Sequence, residues 1–123
     1  MNVLFLVGLG GALGAMARYK LGGLVLHHTE GWRFPMSTFA VNVIGCLIAG
    51  LLAGLVEKHD AFSPDVRLLL FTGVLGGFTT FSAFGLETVT LFQKNMPFIA
   101  LLNIIASTLF GVVALWAGIK FIG

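Results

Sequence analysis

Three phenylalanines, two threonines, a serine and a glycine pair are crowded into Gly76-Gly77-Phe78-Thr79-Thr80-Phe81-Ser82-Ala83-Phe84. These residue types suit ion handling better than covalent chemistry. Phe81 and Phe84 stand three apart, which puts them on one face of a helix. A phenyl ring is negative on its face and positive at its edge. Two ring edges turned into a channel would therefore line a path for a small anion, although core packing is the commoner use of such a pair. Ser82 adds a hydroxyl donor. The glycine pair weakens a helix, each glycine costing about 1 kcal/mol relative to alanine. Thr79 or Thr80 can then cap a new helix. A break here creates two kinds of end. Freed carbonyls suit a cation, and the positive N-terminal end of the next helix suits an anion.

The element that carries this stretch runs from Leu68 to Phe92 with a single charge, Glu87. As one helix it would extend about 37 Å, enough to cross a bilayer core of about 30 Å. Irregular backbone at membrane depth survives only where protein or a water-filled cavity satisfies it. The motif therefore marks an intramembrane site.

The rest of the chain agrees with a membrane setting. It has 123 residues, 58% hydrophobic and only 10% charged, with a mean hydropathy of +1.02. Soluble domains are nearer half apolar and a quarter charged. The reading is an all-α membrane protein of one domain, residues 1–123, with four transmembrane helices at about 3–25, 36–56, 66–93 and 97–121 and a break in the third. Continuous apolar runs argue against a β-barrel. The first span lacks a charged leader and continues past Ala15-Met16-Ala17, so it reads as a span rather than a secretory signal. Spans this short build a solute pore most economically as an oligomer.

If both termini share a side, Lys58, Arg67 and Lys120 lie there, and Arg18, Lys20, Arg33 and Lys94 lie opposite. Orientation normally follows a clear Lys/Arg excess. A near-tie suggests insertion both ways round, which would permit an antiparallel dimer.

Other features carry less. Cys46 is the single cysteine, and packing is its expected role. A net charge of +2 is too small to argue for nucleic acid. His27, His28 and His59 lack partners at metal-ligand spacing. The run Gly8 to Gly14 misses a dinucleotide fingerprint at Leu13. The pairs Gly10/Gly14, Gly50/Gly54 and Gly73/Gly77 stand four apart and read as close-packing faces. Enzyme chemistry is not expected, since no paired carboxylates, nucleophile–base pair or metal cluster appears.

Polar groups inside a membrane are costly and invite a functional reading. Asn42 can cross-link helices or offer N–H donors to an anion. Asn103 and Ser107 share a face, with Thr108 beside them, as a pore wall or as helix–helix hydrogen bonding. Arg18 reads as an interfacial anchor or as a positive charge at a pore mouth. Glu87 reads as a rim residue or as a coupling carboxylate.

Taken together, these residues resemble the Fluc/CrcB fluoride channels over essentially the whole chain. The match rests on Gly11-Ala12-Leu13-Gly14-Ala15-Met16-Ala17-Arg18-Tyr19, on Ser37-Thr38-Phe39-Ala40-Val41-Asn42-Val43-Ile44-Gly45, and on the Gly76–Phe84 motif followed by Glu87. The resemblance implies a passive fluoride exporter of the bacterial inner membrane, a multi-pass protein built as an antiparallel, dual-topology homodimer with two pores. It implies a fluoride pathway along Phe81, Phe84, Asn42, Ser82, Thr80, Ser107 and Arg18. It also implies a structural sodium ion at the dimer centre, held by the backbone carbonyls of Gly76 and Thr79. Where the family usually has Phe-Ser-Thr-Phe, this chain has Ala83 in place of the second hydroxyl. The alternative is a small proton-coupled multidrug exporter, which needs an intramembrane carboxylate. The first span has no acid, and Glu87 is the only candidate near any span.

Overall fold

Apolar residues dominate every long segment, and the structure, a computed structural model describing residues 2–123, turns each into helix. The elements are α1 (Val3–His28), α2 (Met36–His59), α3 (Pro64–Arg67), a π-helical run (Leu68–Leu75), α4 (Gly76–Phe78), α5 (Phe81–Gln93) and α6 (Pro97–Ile122). Four stretches are long and apolar enough to cross a membrane: Val3–His28, Met36–His59, Pro64–Gln93 and Pro97–Ile122. Local chemistry sets the starts. The Asn2 side chain accepts from the Leu4 N–H, and Ser63 accepts from Val66 N–H ahead of Pro64. A side-chain acceptor at the cap satisfies an N–H that the helix leaves orphaned.

The loop between α2 and α3 turns on two residues in the left-handed region, Asp60 (φ 49°) and Phe62 (φ 69°). Arg67 holds it there. Its Nε donates to the Ala61 and Phe62 carbonyls at 3.2 and 3.1 Å, and its Nη2 pairs with Asp60 Oδ1 at 2.9 Å.

Packing follows the small residues. Helix α2 packs most extensively on α6, and α1 packs on the π-helical run and on α4. A methyl at Gly10 would come within 2.6 Å of the Leu69 carbonyl oxygen. Methyls at Gly14, Gly77 and Gly50 would strike the carbonyls of Val74, Gly11 and Leu115. Gly118 would meet the Leu47 carbonyl at 2.7 Å. Backbones touch at these places, as expected where van der Waals contact holds helices together in lipid. The outward face is apolar, with Leu4, Phe5, Phe98 and Phe121 all exposed.

The third span breaks at Thr79–Thr80, both extended, and Thr80 caps the helix that follows, as the threonines led one to expect. The glycine pair itself stays helical, with Gly77 bare against the backbone of Gly11. The span also contains a π-helical run of 8 residues, well beyond the single-turn bulges usual for this geometry. Nothing in its leucine-rich sequence announces it.

Candidate functional site

The break is organised by Asn42. Its Oδ1 accepts the Thr80 N–H at 2.8 Å, and its Nδ2 donates to the Thr80 carbonyl at 3.0 Å. An unbroken helix would send the Thr80 N–H to the carbonyl of Gly76. Here that donor is diverted to a side chain of α2. The carbonyls of Gly76 and Thr79 are left without a protein donor among the described residues. Just beyond, Thr80 Oγ1 accepts the Ala83 N–H at 3.2 Å and caps α5. Ser82 Oγ lies 3.3 Å from the same hydroxyl.

Two depressions meet at this break. One, of about 280 Å³, is lined by Asn42, Cys46, Thr79, Thr80, Phe81, Phe84, Ser107 and Thr108. It gathers most of the residues singled out in the sequence. The rings of Phe81 and Phe84 stand 5.7 Å apart, tilted by 41°. Phe84 is half-buried, while Phe81 is 83% exposed on the protomer surface. Ser82 is exposed and lies outside this lining.

The other depression, of about 440 Å³, includes Arg18, Lys20, Ser37, Thr38, Thr80 and Ala83 in its lining. Its charged residues are both cations, so it favours anions. Arg18 does more than sit at a mouth. Its Nε donates to the Gly77 carbonyl at 3.1 Å, which places a cation at the carbonyl end of the first half-helix, where the helix dipole favours one. Thr80 lines both depressions.

Two polar ties bind the second half of the third span to its neighbours, beyond what the sequence marked. Thr38 Oγ1 donates to Glu87 Oε2 at 3.0 Å, and the other carboxylate oxygen is buried without a partner. Thr88 Oγ1 donates to the Phe84 carbonyl at 2.8 Å. Asn103, only 1% exposed, donates Nδ2 to Thr88 Oγ1 and accepts from Ser107 Oγ, both at 3.0 Å. The four-residue spacing of Asn103 and Ser107 was readable; Thr88 as their partner was not. Cys46, expected to serve packing alone, also faces the Phe81–Phe84 depression. Among the described residues no group of three or more His, Cys, Asp or Glu could hold a metal ion.

A broken membrane helix whose freed backbone faces polar and aromatic side chains defines a small membrane protein with an ion-handling centre. The model of the family described as CrcB-like protein, Camphor Resistance (CrcB), matches residues 5–119. The chain is 52% identical over 122 residues to a fluoride-specific ion channel FluC of Methylobacillus flagellatus, covering 99% of this chain and 95% of that one. It is 44% identical over 119 residues to the protein of the same name from Flavobacterium psychrophilum, covering 97% and 95%. A third such relative, from Nitratidesulfovibrio vulgaris, is 42% identical over 119 residues, again covering 97% and 95%. The chain belongs to the CrcB family.

Proposed function

We propose that the protein is a fluoride-selective channel that lets the ion leave the cell passively. One observation carries the reading: in a chain of this family, Asn42, Thr80, Phe81, Phe84 and Ser107 converge on a single depression beside the helix break. The basic depression at Arg18 and Lys20 gathers anions. Thr80 lies where the two depressions adjoin, Asn42 lines the aromatic one, and the Phe81 and Phe84 rings carry the ion onward by their edges. Ser82 extends the donors at the mouth, and Ser107 lines the far wall. No full positive charge is fixed in the Phe-lined depression, so binding stays weak enough for release.

The exposure of Phe81 supports a second copy as the other wall of the path. The near-even Lys/Arg distribution supports an antiparallel, dual-topology homodimer with two pores in a bacterial inner membrane. The diverted Thr80 N–H supports a sodium ion at the dimer centre. The Gly76 and Thr79 carbonyls fit it, being hard oxygen ligands with no protein donor among the described residues. Such an ion would neutralise those carbonyls and hold the break open. The drug-exporter alternative draws no support from the relatives, and its one carboxylate, Glu87, is tied to Thr38.

The test is purified protein in liposomes loaded with fluoride or chloride, followed by ion-selective electrodes. Fluoride release with chloride retained is the expected result. No fluoride release, or equal chloride release, overturns the proposal.

A further inference from the structure

The polar ties around Asn103 have a direction, and the direction decides what Ser107 offers to the ion path. The Thr88 hydroxyl gives its proton to the Phe84 carbonyl, at 2.8 Å. The Thr88 oxygen is then left as the acceptor for its other neighbour. The group of Asn103 facing it, 3.0 Å away, must be the amide N–H₂. The opposite end of Asn103 is therefore the oxygen. A flipped amide would set that oxygen against a Thr88 oxygen whose proton is already engaged. Facing an acceptor at 3.0 Å, Ser107 has to donate. The order in the structure is Ser107 → Asn103 → Thr88 → Phe84 C=O.

Each hydroxyl has one proton. The Ser107 proton points into the protein, and its lone pairs are what remain for the depression it shares with Phe81 and Phe84. Lone pairs repel an anion. Turning the proton toward an ion would strip Asn103 Oδ1 of its donor at a site only 1% exposed, where an unpaired acceptor is costly.

From this order we infer that Asn103 is a positioning residue that throttles anion flux by withholding the Ser107 proton from the pathway. The inference rests on the proposed fluoride path, and it names a control on that path that acts through a buried amide without touching the ion.

The experiment measures fluoride release from liposomes for Ser107→Ala, Asn103→Leu and Thr88→Val, each alone and the last two combined with Ser107→Ala. Ser107→Ala removes the withheld proton and is the background against which the double variants are read. Asn103→Leu removes the internal acceptor. Thr88→Val, nearly the same shape, removes the constraint on the amide, so Asn103 can turn its N–H₂ toward Ser107. Both should raise release about fivefold at subsaturating fluoride, through a lower half-saturating concentration. Both gains should vanish when Ser107→Ala is added. A merely structural role for Asn103 would give losses, or gains indifferent to Ser107. The inference is overturned if neither variant raises release, or if a gain survives without the hydroxyl. Should Asn103→Leu fail to fold, Thr88→Val and Ser107→Ala carry the same decision. A wild type that releases no fluoride would instead overturn the channel reading itself, and a separate fluoride blank on the wild type distinguishes the two failures.

Discussion

The two halves of the third span are held in opposite ways. Before the break, the π-helical run and α4 lie against α1 through bare backbone: Gly10, Gly14, Gly73 and Gly77 leave no room for a methyl. Among the described residues the side-chain hydrogen bond across that contact is Arg18 to Gly77. After the break, α5 is tied by hydrogen bonds to its neighbours, through Asn42 to Thr80 just ahead of it, Thr38 to Glu87 and Asn103 to Thr88. On that side a methyl added at Gly85 would meet nothing within 4 Å. The first half is therefore sensitive to size and the second to polarity. A span that had only to sit in lipid would show no such division.

Substitutions can break or sharpen that contrast. The largest effect is expected at Gly14, where any side chain strikes the Val74 carbonyl. Gly14→Val should cost more than about 3 kcal/mol, the upper end of ordinary overpacking, and abolish the folded peak in size-exclusion chromatography. A normal elution profile would show that the first half is not size-limited. Next comes Phe81→Ile, which removes the electropositive ring edge at a residue 83% exposed. Fluoride release should fall about tenfold, a loss of ~1.4 kcal/mol of edge attraction, with elution unchanged. Undiminished release would reduce the phenylalanine pair to packing.

Asn42→Ala should lower stability by about 1–3 kcal/mol, because it leaves the Thr80 N–H and carbonyl without their partner; thermal melting in detergent reads it. If melting does not change, the break is held by something other than Asn42. A smaller effect is expected from capping Cys46 with a methylthio group. Its thiol borders the Phe81–Phe84 depression, so fluoride release should drop by about half in the wild type, a partial obstruction of a weakly binding path, and not at all in Cys46→Ala. Equal sensitivity in both would place the thiol outside the path. The smallest effect belongs to Gly85→Ala, a gain of about 0.5–1 kcal/mol from helix propensity alone. A loss of melting temperature there would mean that the second half, too, is limited by size.

What could be read in advance follows the same division. The four spans are legible because hydropathy is additive along the chain, and the glycine faces because four-residue spacing survives folding. The break was legible as a glycine pair followed by threonines. Its cap at a threonine was legible too; the close approach of Gly77 to Gly11, a partner 66 positions away in the chain, was not. The Asn103–Ser107 pair could be seen from its spacing on one helix. Thr88, Thr38 and the double grip of Asn42 on Thr80 could not, because each joins different spans and only the packed arrangement brings them together. The π-helical run had no signal in residue type at all.

The shared position of Thr80 has a consequence for anyone redesigning this protein. The basic depression and the aromatic one have a single residue in common, and its N–H, carbonyl and hydroxyl are each engaged by neighbours. On the proposed ion path, attraction and selection would then not be independent knobs. A change at Thr80 made to admit ions faster would also reset how they are chosen, and variants meant to separate the two properties would have to be sought at Arg18 or at Phe84, not at the residue between them.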